Sequence, residues 1–431
     1  MQELLSQLRL ILRPPRQDEP ELEFLEQRLA RLHTLMLRAH DNVGELFKRI
    51  EESALAEAGL ARAEALGDLE APPTWLDRLD PSPKGVAEAL ATEIRGVDHA
   101  LHVTRYKEIG FADPDTHWKT RDKTAYVIPN HGVAPRGKPM TDQSYTRRGL
   151  LWHRVMPTNV NGFEVRLYRG DVGERSGRDR RHLAGALFND FGLTLSRPDA
   201  TKTFFVQGVN CPELSSQLVT QLDALQAAEP GLLAAVWPEL TGPPQVRDQI
   251  VQRLARWPYR GNHRRPSVVL PGSWHEPTPK GRVNVIRVLN GFGREIVPPC
   301  EKTRAFNLDG RFEDIQPGTG LPVLVIGELL VGMAICKDFC DRSRDLPYLH
   351  LPLDLVLVPS FGDDLTMRSH CVAASDLWIR HHTRSFVVQQ ESRRNLDWGY
   401  VLPAPERPGE ATLDSLRRSQ LFSIFSFDRE S

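Results

Sequence analysis

The feature that most constrains this chain is a series of short, almost unbroken apolar runs in its second half, each closed by a turn signal. "PVLVIG", "LLVGMAIC", "LDLVLVPS" and "SFVVQQES" succeed one another after residue 320. A strand with one wet face alternates apolar and polar residues, whereas a continuously apolar strand needs cover on both faces. Upstream, "TKTFFVQ", "LLAAVWPEL", "PSVVLPGSW" and "RVNVIRVL" carry the pattern back to Thr201. The stretches "PELSSQLVTQLDALQAAEP" and "LTMRSHCVAASDLWIRHHT" read as amphipathic helices able to cover such strands. Residues 201–431 are therefore expected to form one large core of the α/β or α+β class, with sheets packed inside and helices outside.

The first 200 residues have a different pattern. Leu22, Leu25, Leu29, Leu32, Met36, Ala39, Val43, Leu46 and Ile50 recur in alternating steps of three and four, which predicts a helix over 21–52 with a seam for another helix. Two partners fit that seam: a second copy of the chain in a coiled coil, or the neighbouring "SALAEAGLARAEALGDLE" in an intramolecular hairpin. Four prolines in "APPTWLDRLDPSPKG" then break the helix, and a shorter helix is expected over 86–102. Between 103 and 200 the runs "TAYVIP", "GLLWHRVMP" and "GFEVRLYRG" read as strands and "RHLAGALFNDFGL" as a helix, a small α+β module without an assigned function. The expected domains are thus 1–102, 103–200 and 201–431.

A length of 431 residues exceeds what one core usually supports, and 40% apolar residues suffice for ordinary globular packing. No stretch approaches the roughly 18 apolar residues that span a bilayer, and "MQELLSQLRLILRPPRQ" is too polar for a secretory signal. A cytoplasmic protein without membrane contact is expected. Five scattered cysteines, with no CxxC pair, fit neither a disulfide scaffold nor a structural zinc site. The net charge of −1 hides a gradient: 12 basic and 19 acidic residues in 1–100, against 17 and 11 in 101–200. The basic run "GERSGRDRRH" would suit an anion, but a solvated loop is the simpler reading and nucleic acid is not the expected partner.

Three residues at strand ends carry chemistry. "LLAAVWPEL" ends on Glu239, "GREIVPPCEK" leads into Lys302, and "LLVGMAICKD" ends on Cys336. A thiol where a strand turns is well placed as a nucleophile if a carboxylate can take its proton and an ammonium can balance the charge. A cysteine–histidine pair, Cys336 with His350, His370, His381 or His382, would need the thiol at a helix N-terminus, whereas the run before it reads as strand.

In order, "FFVQGVN", "LAAVWPEL", "VVLPGSW", "GREIVPPCEKTRAF", "LLVGMAICKDF" and "LDLVLVPS" with "SDLWIRHHTRSFVVQQES" resemble the strands and motifs of the carbon–nitrogen hydrolase, or nitrilase, superfamily over about 201–428. The resemblance implies a four-layer αββα sandwich, extended at its N-terminus by the helical and α+β regions. It implies Glu239 as general base, Lys302 as the cation at the oxyanion, Cys336 as nucleophile, Glu313 as a second glutamate orienting the lysine and the attacking water, and the Lys337 backbone N–H as oxyanion donor. It further implies hydrolysis of a small amide or carbamoyl substrate, in preference to a nitrile, through a thioester and without a cofactor, and a homo-oligomeric assembly is compatible with it. "CEKTRAF" departs from the family, which more often has an aromatic residue before the lysine and His-Leu after it. The alternative function is a regulatory or interaction protein that keeps the hydrolase fold and works through its N-terminal region.

Overall fold

The computed structural model describes residues 2–15, 18–39, 41–66, 78–105, 113–129, 149–170, 180–196, 202–228, 232–257, 265–327, 329–341, 346–391, 398–405 and 407–428. The chain divides into two compact units, residues 1–160 with 350–352, and residues 161–349 with 353–431.

In the first unit, α1 (Gln2–Ile11) packs on α2 (Glu21–Arg38), and α2, α3 (Asp41–Lys48) and α4 (Glu52–Ala65) pack on the long helix α5 (Pro83–Arg105). The short α6 (Pro114–His117) precedes an antiparallel pair, β1 (Ala125–Pro129) with β2 (His153–Pro157), and the two-residue β3 (Asn159–Val160) ends the unit. The expected helix over 21–52 is divided into two, because Ala39 adopts an extended conformation with ψ 150°. Every residue of the predicted seam is nonetheless used. Leu25, Leu29, Leu32, Met36 and Val43 are buried, and Leu22, Ala39, Leu46 and Ile50 half-buried, in a cluster with Val86, Leu90, Ile94, Val97 and Leu101. The partner is thus α5 of the same chain, on which α4 packs as well. The helix expected over 86–102 is this α5, which runs further at both ends; Pro83 is tolerated in its first turn, where no intrahelical N–H is needed. Residues 67–77, most of the proline-rich break, lie outside the described residues.

The second unit is built on two sheets. The smaller has the order β22-β5-β9-β10, from β5 (Arg180–Ala186), β9 (Ala234–Trp237), β10 (Val268–Pro271) and β22 (Phe422–Asp428). Strands β5, β9 and β10 are parallel, and β22 is antiparallel to β5. The larger sheet runs β21-β20-β19-β18-β17-β16-β4, from β4 (Phe163–Arg169), β16 (Gly320–Ile326), β17 (Leu329–Met333), β18 (Leu355–Phe361), β19 (Arg384–Gln390), β20 (Gly399–Pro403) and β21 (Arg417–Arg418). Strand alternation sorts the side chains into layers. Leu183, Ala234, Val236, Val268 and Leu270 of the small sheet share one core with Val331, Met333, Leu355, Leu357, Phe386 and Val388 of the large one. The intervening Ala184, Ala186, Ala235, Trp237 and Val269 share another with α7 (Leu214–Ala227) and α8 (Pro244–Ala255). On the far side of the large sheet lie α9 (Lys337–Cys340) and α10 (Asp364–His381). Small sheets edge this sandwich: β6 (Gly192–Leu195) with β8 (Val206–Asn210), β7 (Thr203–Phe204) with β14 (Asn307–Leu308) and β15 (Arg311–Glu313), and β11 (Ser273–Thr278) with β12 (Gly281–Ile286) and β13 (Cys300–Glu301). A last short helix, α11 (Leu413–Leu416), precedes β21. The unit is a four-layer αββα sandwich.

Two expectations are corrected. "RHLAGALFNDFGL" is not a helix: its first half is β5, whose residues alternate between two cores, and its end begins β6. With both faces of the run buried, the extended form is the one that feeds both cores. Accordingly the strand beside β9 is β5, and "FFVQGVN" supplies only the edge strands β7 and β8. The division into units falls after Val160, and β4 and β5 lie in the two main sheets of the second unit. Of the basic run "GERSGRDRRH", residues 173–179 lie outside the described residues and the rest belongs to β5. Among the described residues no helix is long and apolar enough to cross a membrane.

The seam gives the first prediction. Leu90 is fully buried on α5, and Leu90→Ala is expected to destabilise the first unit by about 2–5 kcal/mol. Urea unfolding monitored by circular dichroism checks it, and the midpoint should not depend on protein concentration, since the seam is closed within one chain.

Candidate active site

Each candidate side chain is delivered by a local feature of the backbone. Glu239 lies two residues past β9, in a turn where Leu240 has φ +58°. This turn rests on the "PGSW" segment. The Leu240 N–H donates to Ser273 Oγ at 3.2 Å, and the Gly242 N–H to Ser273 O at 3.3 Å. Gly272 has φ +81°, and a Cβ there would stand 2.7 Å from both Pro238 O and Thr241 Oγ1. Only glycine permits both that conformation and that approach.

Lys302 comes directly after β13, where its N–H donates to Asn284 O at 2.8 Å and its carbonyl accepts the Gly318 N–H at 2.9 Å. Its side chain is 1% exposed, and Nζ donates to Glu239 Oε1 and to Glu313 Oε2, both at 2.7 Å. Glu313 ends β15 and also accepts from the Phe306 N–H at 2.9 Å, from Asn284 Nδ2 at 2.9 Å and from His275 Nε2 at 2.8 Å. The second amide hydrogen of Asn284 reaches Glu239 Oε1 at 3.0 Å. The network fixes the His275 tautomer: the Val206 N–H donates to Nδ1 at 2.8 Å, so Nε2 carries the hydrogen.

Cys336 is buried just beyond β17, with φ +45° and ψ −106°. A non-glycine residue there costs of order 1–3 kcal/mol and persists only where its surroundings over-determine it. They do: its N–H donates to Pro359 O at 2.9 Å, its carbonyl accepts the Phe339 N–H at 2.9 Å, and the Asp338 N–H donates to Ile335 O at 3.0 Å. The bend turns the strand directly into α9, so the thiol sits both at a strand end and before a helical turn. Asp338, buried in that turn, accepts from the Thr303 N–H at 3.0 Å and from Thr303 Oγ1 at 2.9 Å, tying the cysteine turn to the residue after Lys302. Lys337 opens α9, and its half-exposed side chain leans toward Ala305 O at 3.4 Å.

The electrostatics bind these groups into one unit. Burial works against the Lys302 ammonium, yet Glu239, Glu313 and Cys336 together hold its pKa well above the usual lysine value. Burial likewise opposes ionisation of Glu313, but Lys302 and the His275 hydrogen bond hold it well below the carboxylate range. For Cys336 burial and the Glu239 charge push the thiol up, while Lys302 and a hydrogen bond from Ser360 oppose them. The resting sulfur is therefore a thiol, in reach of both a carboxylate's and an ammonium's field. Asp338 is pushed up to about 7 by burial, against the pull of Lys302 and its Thr303 hydrogen bonds.

Of the five residues singled out from sequence, Glu239, Lys302 and Glu313 are in direct contact, Cys336 lies within their field, and Lys337 is its chain neighbour. Glu313, not the nearby Glu301, Asp309 or Asp314, is the acid bonded to Lys302. His275 and Asn284 were not singled out. Their signal is a polar residue at a buried strand position, in "GSWHEP" and in "RVNVIRVL".

No family model matches the chain, and no curated protein matches it in sequence. Among solved structures it is similar to an amidase from Nesterenkonia sp., at 15% identity over 60% of this chain and 94% of that one, with a TM-score of 0.39. It is also similar to Saccharomyces cerevisiae Nit3, a member of branch 10 of the nitrilase superfamily, at 14% identity over 60% and 92%, TM-score 0.40. A third is the Caenorhabditis elegans NitFhit protein, at 12% identity over 58% and 61%, TM-score 0.41.

The buried charges generate two predictions. Glu313→Gln leaves the buried ammonium with one carboxylate, and is expected to cost about 3–5 kcal/mol at pH 7 by chemical denaturation. Asp338 behaves oppositely. Its pKa rises on folding from 3.8 to about 7, so its contribution is full below pH 3.8 and is lost as pH rises through about 7. Asp338→Asn should flatten that part of the stability–pH curve. With all other groups common to both proteins, the difference curve isolates this window.

The second unit thus has the layer order that resemblance to the carbon–nitrogen hydrolases implies.

Proposed function

We propose that this protein is a thiol hydrolase of non-peptide carbon–nitrogen bonds, acting on small amides or carbamoyl compounds in preference to nitriles. The observation that carries the reading is the buried Lys302 ammonium held between Glu239 and Glu313 at 2.7 Å each, with Cys336 inside the field of the first pair. A structural salt bridge would not need a strained cysteine beside it.

Glu239 takes the proton of the Cys336 thiol, and the sulfur adds to the planar carbonyl carbon. The C=O electron pair moves to oxygen, where the Lys302 ammonium and the Lys337 N–H receive the charge in a site screened from water. The intermediate collapses as Glu239 returns its proton to the departing nitrogen. Ammonia or an amine leaves, and a thioester remains on Cys336. Glu239 then deprotonates a water, which adds to the thioester carbon, and the second intermediate expels the thiolate. The sulfur regains its proton from Glu239, completing the cycle. Glu313, fixed by four donors, holds Lys302 in place through both halves. Amides suit this set best because their intermediate carries a full oxyanion opposite the ammonium and a nitrogen leaving group that needs a proton. Side chains and water supply every step.

The test is ammonia release from a panel of primary amides, N-carbamoyl compounds and nitriles. Turnover of an amide or carbamoyl compound is expected, with a thioester adduct on Cys336 visible by intact-mass spectrometry. Cys336→Ala should abolish turnover, and Glu239→Gln should lower it by about 10²–10⁴. Full turnover by Cys336→Ala would overturn the reading.

A further inference from the structure

The residues so far described approach Cys336 from the edges of the sandwich, but β18 of the large sheet borders it as well. Strand alternation places Ser360 with Val356 and Val358 on the side of β18 opposite the inter-sheet core, toward α10. Its two chain neighbours both bond Cys336: Pro359 O accepts the Cys336 N–H at 2.9 Å, and Phe361 O faces Sγ at 3.6 Å. The Ser360 oxygen lies 2.9 Å from His370 Nε2 on α10 and 3.4 Å from Gln389 Oε1 on β19. Ser360, His370 and Gln389 are all fully buried.

The hydrogens can be placed. Gln389 Nε2 donates to Asp363 O at 2.9 Å, so its Oε1 is the atom that faces the serine. Burial pushes His370 down to about 3 with no charged group contributing, so its ring is neutral and carries one N–H. Nδ1 is buried without a partner, and Phe339 stacks on the ring at 5.8 Å. A hydrogen on Nδ1 would be an unpaired buried donor, the costlier choice, whereas one on Nε2 is satisfied by Ser360 Oγ. The serine oxygen is thus pinned as an acceptor, and its own hydrogen is left to choose between Gln389 Oε1, at a long distance, and the sulfur.

We propose that Ser360, anchored by His370, is a positioning residue whose hydroxyl turns to the Cys336 sulfur and stabilises the thiolate as the proton leaves. A neutral anchor suits the task, because a second cation there would bind the thiolate too tightly to let it attack. The charged and titratable groups around the sulfur are Glu239, Lys302, Asp338 and Cys340, with Glu313 behind Lys302. None of these lies on β18 or α10; the titratable group bonded to Ser360 is His370. The proposal rests on Cys336 being the nucleophile.

The test is the pH dependence of Cys336 alkylation by iodoacetamide in the full chain, read by peptide mass spectrometry beside thermal unfolding. Ser360→Ala should raise the midpoint by about one pH unit and slow alkylation about tenfold below it, the scale of one hydrogen bond to a charged group. Ser360→Thr, which keeps the hydroxyl, should stay within about twofold of the parent. His370→Phe should shift the profile in the same direction as Ser360→Ala, and His370→Gln, which keeps a donor, should restore it. The double variant Ser360→Ala/His370→Phe should be no worse than Ser360→Ala alone, because both act on one hydroxyl. If Ser360→Ala does not fold, the two His370 variants decide by the same readout. Selective reaction of Cys336 with profiles unchanged by these substitutions would overturn the proposal and leave the nucleophile intact. A Ser360→Thr profile like that of Ser360→Ala would also overturn it, since packing alone would then explain both. Alkylation of Cys336 no faster than of the other cysteines would overturn the underlying reading instead.

Discussion

The second unit depends on one interaction, the Lys302 ammonium buried between two carboxylates. Removing three charged groups from water costs several kcal/mol for each ion, and their mutual attraction offsets this only when the remaining lone pairs and protons are satisfied. Here they are satisfied by Asn284, which bridges both acids, by His275, and by the Phe306 N–H. The supporting groups come from separate segments, so the cluster forms only when β11, β12, β13, β15 and the turn after β9 are in register. A site assembled this way cannot be partly made. Loss of any one donor leaves a buried lone pair or charge less fully satisfied.

That requirement explains the architecture. Two sheets packed face to face bring strand ends from different layers together: β9 from the small sheet delivers Glu239, and β17 from the large sheet delivers Cys336. The edge strands β13 and β15 supply Lys302 and Glu313. Gly272 and the left-handed Leu240 then adjust the glutamate turn, and the strained Cys336 lifts the thiol out of its strand. The backbone departs from ordinary conformations where Glu239 and Cys336 are delivered, while β9 and β17 behind them are buried throughout.

Much of this was legible in the sequence because the strands are continuously apolar and end on residues that such strands do not ordinarily carry. Glu239, Lys302 and Cys336 stand out as strand-end residues, whereas Glu313 was implied only by the resemblance to the carbon–nitrogen hydrolases. His275 and Asn284 do not, since one buried histidine or asparagine within a strand has many structural explanations, and only the closing of the loops shows that both reach the same acids. Ser360 was hidden similarly, and although His370 was one of four histidines weighed as a partner for Cys336, its meeting with Ser360 depends on the phase of β18 against α10. The helix misread at 181–193 failed for a physical reason, because a short run of small and apolar residues such as Leu183, Ala184 and Ala186 fits either period until two cores claim its two faces. The heptad of α2 and α3 was legible as a seam. Its partner was not, because periodicity marks which face is buried and not what covers it.

The charge distribution carries the chemistry one step further. The proposed mechanism starts with Glu239 as a base, so that with Lys302 as ammonium, Glu313 as carboxylate and Cys336 as thiol the cluster bears one net negative charge. Moving the proton from sulfur to Glu239 leaves that total unchanged, and so does passing the charge from sulfur to a substrate oxygen. In the proposed cycle the negative charge would travel along a path lined by donors: Asn284 and Lys302 at Glu239, Ser360 at the sulfur, and Lys302 with the Lys337 N–H at the oxyanion. No step requires new charge to be buried, so the desolvation cost is met once, when the chain folds. Burial that would otherwise make a thiol inert instead strengthens every interaction along that path.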